Sequence, residues 1–333
     1  MKAMVLREFG GPDVFEEKAI PKPTASPGQV LVKVAASSVN PVDYKIRSGA
    51  LEVIAPESPT ILGCDVSGLV MSVGEGVTEF SEGDEVYGCA GGVKGCPGAL
   101  AEFMACDADL IAKRPSSLAL DDCAALPLVT ITAWDGLMDR AKVCAGSKVL
   151  VHGATGGVGH IALQLAKMVG AEAFVTGSSE DKLALAKSLG ADVGINYRDM
   201  EVAEYVEQLT GGAGFDVVYD SVGGDNVAKC FEAAAVEGTV ISISTRCEAD
   251  LSPLHAKGLS LFVTFMLIPM LYNRGRERHG EILKKTAEAV DAGKLKPLIH
   301  SEKFGFTEVS KAHALLESGG ALGKIVLVND WAV

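Results

Sequence analysis

Four short stretches hold the residues whose types and spacing could do chemistry: "NPVDYK" (Asn40 to Lys45), "GCDVSG" (Gly63 to Gly68), "HGATGGVG" (His152 to Gly159) and "GSSEDK" (Gly177 to Lys182). In the third, Ala154, Thr155, Gly156, Gly157, Val158 and Gly159 keep the G-x-G-x-x-G spacing with alanine in its first place, one residue after Gly153. That spacing gives a tight turn, a close backbone approach to a pyrophosphate at Gly156 and close helix packing at Gly159. The following helix would aim its first N–H groups and positive dipole end at the phosphates. A plain strand-to-helix turn would use the same glycines. The context favours the phosphate reading, because "KVLV" before the loop reads as a strand and "VGHIALQLAKMVG" after it as a helix.

The end of the next strand decides which dinucleotide. A site for an unphosphorylated ribose usually places Asp or Glu there, about 20 residues past the glycines. Here the strand ends "FVTGSSEDK", so Thr176, Gly177, Ser178 and Ser179 leave room and hydroxyl donors where a carboxylate would repel a 2′-phosphate. Lys182 would neutralise that phosphate and Tyr197, in "GINYRD", would cover it. Ser178 and Ser179 also read as a helix N-cap ahead of Glu180 and Asp181, and both roles can coexist. The expected cofactor is therefore NADP(H) rather than NAD(H).

The elements that must position these residues fall into two patterns. From Val30 to about Ala112, short β-like runs such as "VLVKVAA", "GLVMSVG" and "DEVYGCA" alternate with glycine turns, the pattern of an antiparallel barrel or sandwich. From Lys148, strand-like and helical runs alternate, the pattern of a parallel sheet with crossover helices. The fold class is α/β, with a Rossmann-type dinucleotide-binding domain at 125–264 and a β-rich domain from 1–124 and 265–333. In the last part "GEILKKTAEAVDAGKL" and "TEVSKAHALLESGG" read as helices, and "GKIVLVN" as a strand that returns to the first domain.

Composition excludes several classes. A formal net charge of −13 argues against a nucleic-acid partner, whose binding needs clustered Lys and Arg, and the one dense basic run, "NRGRERHG", reads as a solvated helix start. The apolar segment "LSLFVTFMLIPMLY" is shorter than the ~20 residues needed to span a bilayer and reads as a buried strand running into an interface. Eight scattered cysteines behind a start without signal-peptide features point to reduced thiols and a cytoplasmic location.

Over nearly its whole length the chain resembles the medium-chain dehydrogenase/reductase superfamily, in its zinc-free quinone oxidoreductase (zeta-crystallin-like) branch. The motifs that carry the resemblance are "SSVNPVDYKIRSG", "LGCDVSGLVMSVGEGVTEFSEGDEVYG", "GALAEF", "LPLVTITAW", "VLVHGATGGVG", "FDVVYDSVGG" and "GKIVLV". The resemblance implies a GroES-like catalytic domain beside the Rossmann domain, a cleft where the nicotinamide meets substrate, and a homodimer formed through the strand in "LSLFVTFM". At the places matching the zinc ligands of related alcohol dehydrogenases the chain has Asn40, then Cys64 and Asp65, then Leu128, so no catalytic metal is expected. The implied reaction is zinc-independent hydride transfer from NADPH to a small-molecule quinone or an α,β-unsaturated carbonyl compound.

By position, Asn40, Asp43, Tyr44 and Lys45 would surround the acceptor, with Thr132 near the nicotinamide. Tyr44 or Lys45 would donate a proton, or either would be a surface side chain; Asp43 and Arg47 would form an ion pair that shapes the loop. Val222, Ser242, Ile243, Ser244, Phe262 and Val263 would line the nicotinamide pocket. Relatives carry a basic residue for the 2′-phosphate where this chain has Leu322, which leaves Lys324 as its substitute. Two other readings stay open: a zinc-type alcohol dehydrogenase, and a non-catalytic NADPH-binding or structural protein, since fold alone does not fix function.

Overall fold

The structure, a computed structural model, describes residues 1–331. They form two compact units: one from Met1–Leu128 and Leu267–Gly293, continued from Pro297 onward, the other from Val129–Met266 with Lys294–Lys296.

The second unit holds a six-stranded, all-parallel sheet in the order Val193–Asn196, Glu172–Gly177, Lys148–His152, Phe215–Asp220, Ala234–Ser242, Ser260–Val263. The order reverses between Lys148–His152 and Phe215–Asp220, which puts the crevice used by α/β nucleotide sites beyond those two strands' carboxyl ends. Central strands such as "KVLVH" are nearly continuous apolar runs because helices cover both faces. On one face Leu150, Phe174, Phe215, Val218 and Phe231 pack with Tyr205, and Phe174 meets Phe215 edge-on at 5.0 Å between ring centroids. The helix Val202–Thr210 closes over this core; a Glu201/Glu204 capping box starts it and Gly211, at φ +61°, ends it.

The expected long buried strand around "LSLFVTFM" is corrected by the structure. Only Ser260–Val263 is extended, it is an edge strand, and Val263 and the following Phe265 are 46% and 42% exposed.

The first unit is built on a seven-stranded, largely antiparallel sheet. Gln29–Val39 is its hub, pairing with Asp65–Val73, Phe103–Asp107 and Ile325–Val328. The small side chains of Ala36, Ala124, Ala125 and Val326 let these elements approach closely. The basic run starts the helix Glu277–Asp291, as expected, with Asn273, Arg274 and Glu277 exposed, while Arg276 is half-buried and directs its guanidinium to Asp107 at 2.8 Å and to the carbonyl of Met270 at 2.9 Å. The two units are thus a GroES-like β-rich fold and a Rossmann fold. Among the described residues no helix is long and apolar enough to cross a membrane.

Candidate functional site

In the Rossmann unit the strand Lys148–His152 breaks at Gly153, whose φ of +74° only glycine adopts cheaply. Gly156 N–H then closes the turn on the Gly153 carbonyl at 2.9 Å, and the helix Gly159–Met168 begins. Gly159 is where the helix meets the turn: a Cβ there would lie 2.2 Å from the Gly153 oxygen. At Gly156 the same test meets only that oxygen, at 3.2 Å, so the loop's outer side is open to a ligand. Ala154 is buried beneath, and Thr155, Gly157 and Val158 complete the loop.

A cavity of about 260 Å³ opens beside this loop. Of the residues expected to hold a cofactor, Thr155, Gly177, Ser178, Lys182, Tyr197 and Val222 all line it. Ser179 stands just outside as the N-cap of the helix Glu180–Ser188, its hydroxyl accepting from Lys182 N–H at 3.5 Å. No carboxylate stands at the end of Glu172–Gly177, while Lys182 is half-buried at the cavity wall. Thr176, expected beside the 2′-phosphate, lines the cavity too, and sequence reasoning missed His152, Tyr205, Asn226 and Lys229 in the same wall. Strand pairing was the available signal: His152 and Thr176 are register partners.

Beyond the fourth strand, Asp220 organises the loop at the switch point. Its Oδ1 accepts from Val222 N–H and Gly223 N–H, both at 3.0 Å, and from Asn226 Nδ2 at 2.8 Å. Its Oδ2 accepts from Ser242 Oγ at 3.0 Å. Ser242 is completely enclosed, so its expected lining role is corrected: its hydroxyl fixes the loop. Ile243 N–H bonds to the Asp220 carbonyl, and Ser244 approaches Gly223 so closely that a Cβ there would meet the Ser244 oxygen at 2.3 Å. Phe262 is half-buried on the edge strand beside Val263. Thr132, in the helix Pro127–Trp134, is buried and its carbonyl accepts from the Tyr219 hydroxyl at 3.2 Å.

In the GroES-like unit Asn40 caps the helix Pro41–Arg47, and its N–H bonds to Asp43 Oδ2 at 2.8 Å. Both side chains are sealed from solvent, which corrects the expectation that Asn40 and Asp43 face an acceptor. Burial, the largest influence, pushes the Asp43 carboxyl up to about 6; the Asn40 N–H opposes this and the Asp65 charge adds to it. The expected Asp43–Arg47 pair does not form. Asp43 turns inward to Gly63 N–H and the Cys64 thiol, while Arg47 Nη2 binds both Glu317 oxygens at 2.7 and 2.8 Å. Tyr44 and Lys45 remain half-exposed, and burial, with the Glu317 charge second, raises the Tyr44 hydroxyl above its usual pKa and keeps it protonated.

Lys324 corrects a further expectation. It lies buried in this unit with its ammonium on Val39 O at 3.1 Å, on Asn40 Oδ1 and on Asp65 Oδ2 at 3.4 Å, so it is no surface contact for a 2′-phosphate.

The same cluster tests the metal question. Asp65 Oδ2 also accepts from Ser38 Oγ at 2.6 Å and Asn40 Nδ2 at 2.8 Å, and Oδ1 accepts from Leu128 N–H at 2.8 Å. The Cys64 thiol is held well above its usual pKa by contact with Cys89 and by burial, so it resists becoming a thiolate ligand. A carboxylate saturated by donors, a resistant thiol and a fixed ammonium do not fit a divalent metal.

Comparison with known proteins gives two family matches: residues 26–116 to the alcohol dehydrogenase GroES-like domain and residues 189–327 to the zinc-binding dehydrogenase domain. The chain is 37% identical over 336 residues to 2-methylene-furan-3-one reductase of Solanum lycopersicum, covering 98% of this chain and 79% of that one. It is 33% identical to the chloroplastic NADPH-dependent alkenal/one oxidoreductase of Arabidopsis thaliana, with the same coverages. The fold superposes on an alcohol dehydrogenase superfamily protein from Novosphingobium aromaticivorans with a TM-score of 0.94 and 37% identity, covering 99% of this chain and 100% of that one.

Proposed function

The chain belongs to the medium-chain dehydrogenase/reductase superfamily, in its quinone oxidoreductase and alkenal/one reductase branch, and on that footing we propose that it is a zinc-independent, NADPH-dependent reductase of α,β-unsaturated carbonyl compounds and quinones. The observation that carries the reading is the cavity wall of Gly177, Ser178, Lys182 and Tyr197, where a ribose-binding carboxylate would otherwise stand. The bound cofactor would supply a hydride. Ser178 and Lys182 would hold its 2′-phosphate, Tyr197 would cover it, and the turn at Gly156 with the first helical N–H groups would hold its pyrophosphate. Thr132, Val222, Ile243, Ser244, Phe262 and Val263 are proposed for the nicotinamide end.

A conjugated acceptor suits this chemistry. Hydride added to its β-carbon leaves an enolate whose oxygen needs a donor rather than a Lewis acid, so the donor-saturated Asp65 cluster is no obstacle. Tyr44, kept protonated by its surroundings, is the proposed donor, with Lys45 second. The test is NADPH consumption at 340 nm with an alkenal, a quinone and an alcohol/NADP⁺ pair in parallel. Turnover with the first two and none with the alcohol is expected; alcohol oxidation as the main activity would reject the reading.

Two finer points belong to the same proposal. The exposed edge strand Ser260–Val263 supports a homodimer by strand pairing, which light scattering of the purified protein checks. The cysteines, all unpaired among the described residues, support a reducing cytoplasmic compartment.

A further inference from the structure

The imidazole of His152 stands at the carboxyl end of the first parallel strand, 4% exposed, and lines the cavity together with Thr176, Tyr205, Asn226 and Lys229. Its Nδ1 is 3.0 Å from Thr176 Oγ1, and the residue's carbonyl accepts from Ser221 Oγ at 2.6 Å. Its Nε2 is almost enclosed and has no hydrogen-bond partner among the described residues. An enclosed polar atom left without a partner is costly, and folds rarely keep one unless something else meets it.

The position of the ring says what that would be. Leu150, two residues earlier on the same strand face, belongs to the apolar core, so His152 is the last residue of that face before the cavity. The proposed phosphate contacts, Ser178 and Lys182, follow the neighbouring strand. The part of the wall that His152 shares with Tyr205 and Asn226 offers an aromatic ring, an amide and an imidazole, with Lys229 beside them, a surface suited to a planar heteroaromatic base. Burial keeps the imidazole neutral, pushed down to about 4 even though the Asp220 charge pulls the other way, so Nε2 presents a single N–H or a single lone pair. The edge of adenine carries ring nitrogens that accept and an amino group that donates, and so can meet either tautomer.

We infer that His152 is a binding residue for the purine base of the dinucleotide, its Nε2 hydrogen-bonding the base edge while Thr176 fixes the ring through Nδ1. This rests on the cofactor reading above.

Three probes divide the outcomes: NADPH, the adenosine fragment 2′-phospho-AMP, and reduced nicotinamide mononucleotide, which has no purine. They are titrated against the wild-type chain, His152→Phe, which keeps a ring without nitrogen, and His152→Gln, which keeps an amide near the place of Nε2. Loss of one hydrogen bond at a buried partner predicts about tenfold weaker binding of NADPH and 2′-phospho-AMP to the Phe variant. The Gln variant should recover most of this, and mononucleotide affinity should be the same in all three proteins. Unchanged 2′-phospho-AMP affinity in the Phe variant overturns the inference, as does an equal loss toward the mononucleotide. Failure of the wild-type chain to bind NADPH and 2′-phospho-AMP at all rejects the cofactor reading itself. A readout independent of variant folding is the ¹⁵N spectrum of histidine-labelled wild-type protein: the His152 Nε2 resonance should move on saturation with 2′-phospho-AMP, and a stationary signal overturns the inference.

Discussion

Lys324 Nζ lies 3.4 Å from Asp65 Oδ2 with their side chains only 3% and 0% exposed, a buried ion pair within the GroES-like unit. Removing one partner of such a pair strands the other charge in a medium that solvates it poorly. Lys324→Met should therefore destabilise the chain by about 3–5 kcal/mol. Adding Asp65→Asn should restore a large part of that loss, because the remaining partners of that residue are neutral donors. Urea unfolding of the two single variants and the double variant measures this, and a double variant less stable than Lys324→Met would refute the account.

Lys182 should matter for the 2′-phosphate and for little else. Charge-assisted hydrogen bonds contribute about 1.5–3 kcal/mol, so Lys182→Ala is expected to weaken NADPH binding by tenfold or more. NADH, without the phosphate, should bind the variant and the wild type within about twofold. Fluorescence titration with both cofactors decides it, and equal losses for the two would remove Lys182 from the phosphate site.

Glycines 156 and 159 should separate folding from binding. A Cβ on Gly159 would press to 2.2 Å of the Gly153 oxygen, so Gly159→Ala should cost stability even without ligand, by roughly 1–3 kcal/mol. A Cβ on Gly156 meets only the same oxygen at 3.2 Å, so Gly156→Ala should unfold near the wild-type midpoint yet bind NADPH poorly. Thermal melts with and without NADPH distinguish the two.

Acidity should act on the buried carboxyl and the buried imidazoles in opposite senses. The Asp43 carboxyl rises from 3.8 to about 6 on folding, so the folded chain holds its proton more tightly and stability falls as pH climbs through that window. The His152 imidazole falls from 6.5 to about 4, so the unfolded chain binds that proton more tightly and stability rises with pH over nearly the same window. Each contribution is at most about 3 kcal/mol, from shifts of roughly two units. His313 adds to the climb, its imidazole pushed down to about 3 by burial and then by the Arg47 charge, so Asp43→Asn should unmask a stability that climbs between pH 4.5 and 6.5, and only the joint variant His152→Phe with His313→Phe one that declines. Urea midpoints across that range test both signs.

Much of the Rossmann unit was legible in the chain, because each strand and helix carries its own periodicity and the glycine loop lies where a strand hands over to a helix. The dense sites of the other unit were not. Asp43 and Arg47 are four residues apart on a helix, spacing that invites an ion pair, yet the cap at Asn40 draws Asp43 inward and Glu317, 270 residues away in sequence, claims Arg47. Lys324 meets Asn40 and Asp65 across 284 and 259 residues, separations at which no local pattern reports a contact. The missed cavity residues Asn226 and Lys229 follow the fourth strand, which only sheet order brings beside the first.

The pairing of Ile325–Val328 with Gln29–Val39 sets an order on synthesis. The last strand of the parallel sheet, Ser260–Val263, leaves the ribosome well before Ile325 does. At ~5–20 residues per second, the Rossmann unit has a head start of several seconds in which all six of its strands are available. During that interval the Ala36–Val39 end of the hub strand lacks its Ile325–Val328 neighbour and shows an unpaired edge to the cell, the moment at which a chaperone would be most useful to this chain.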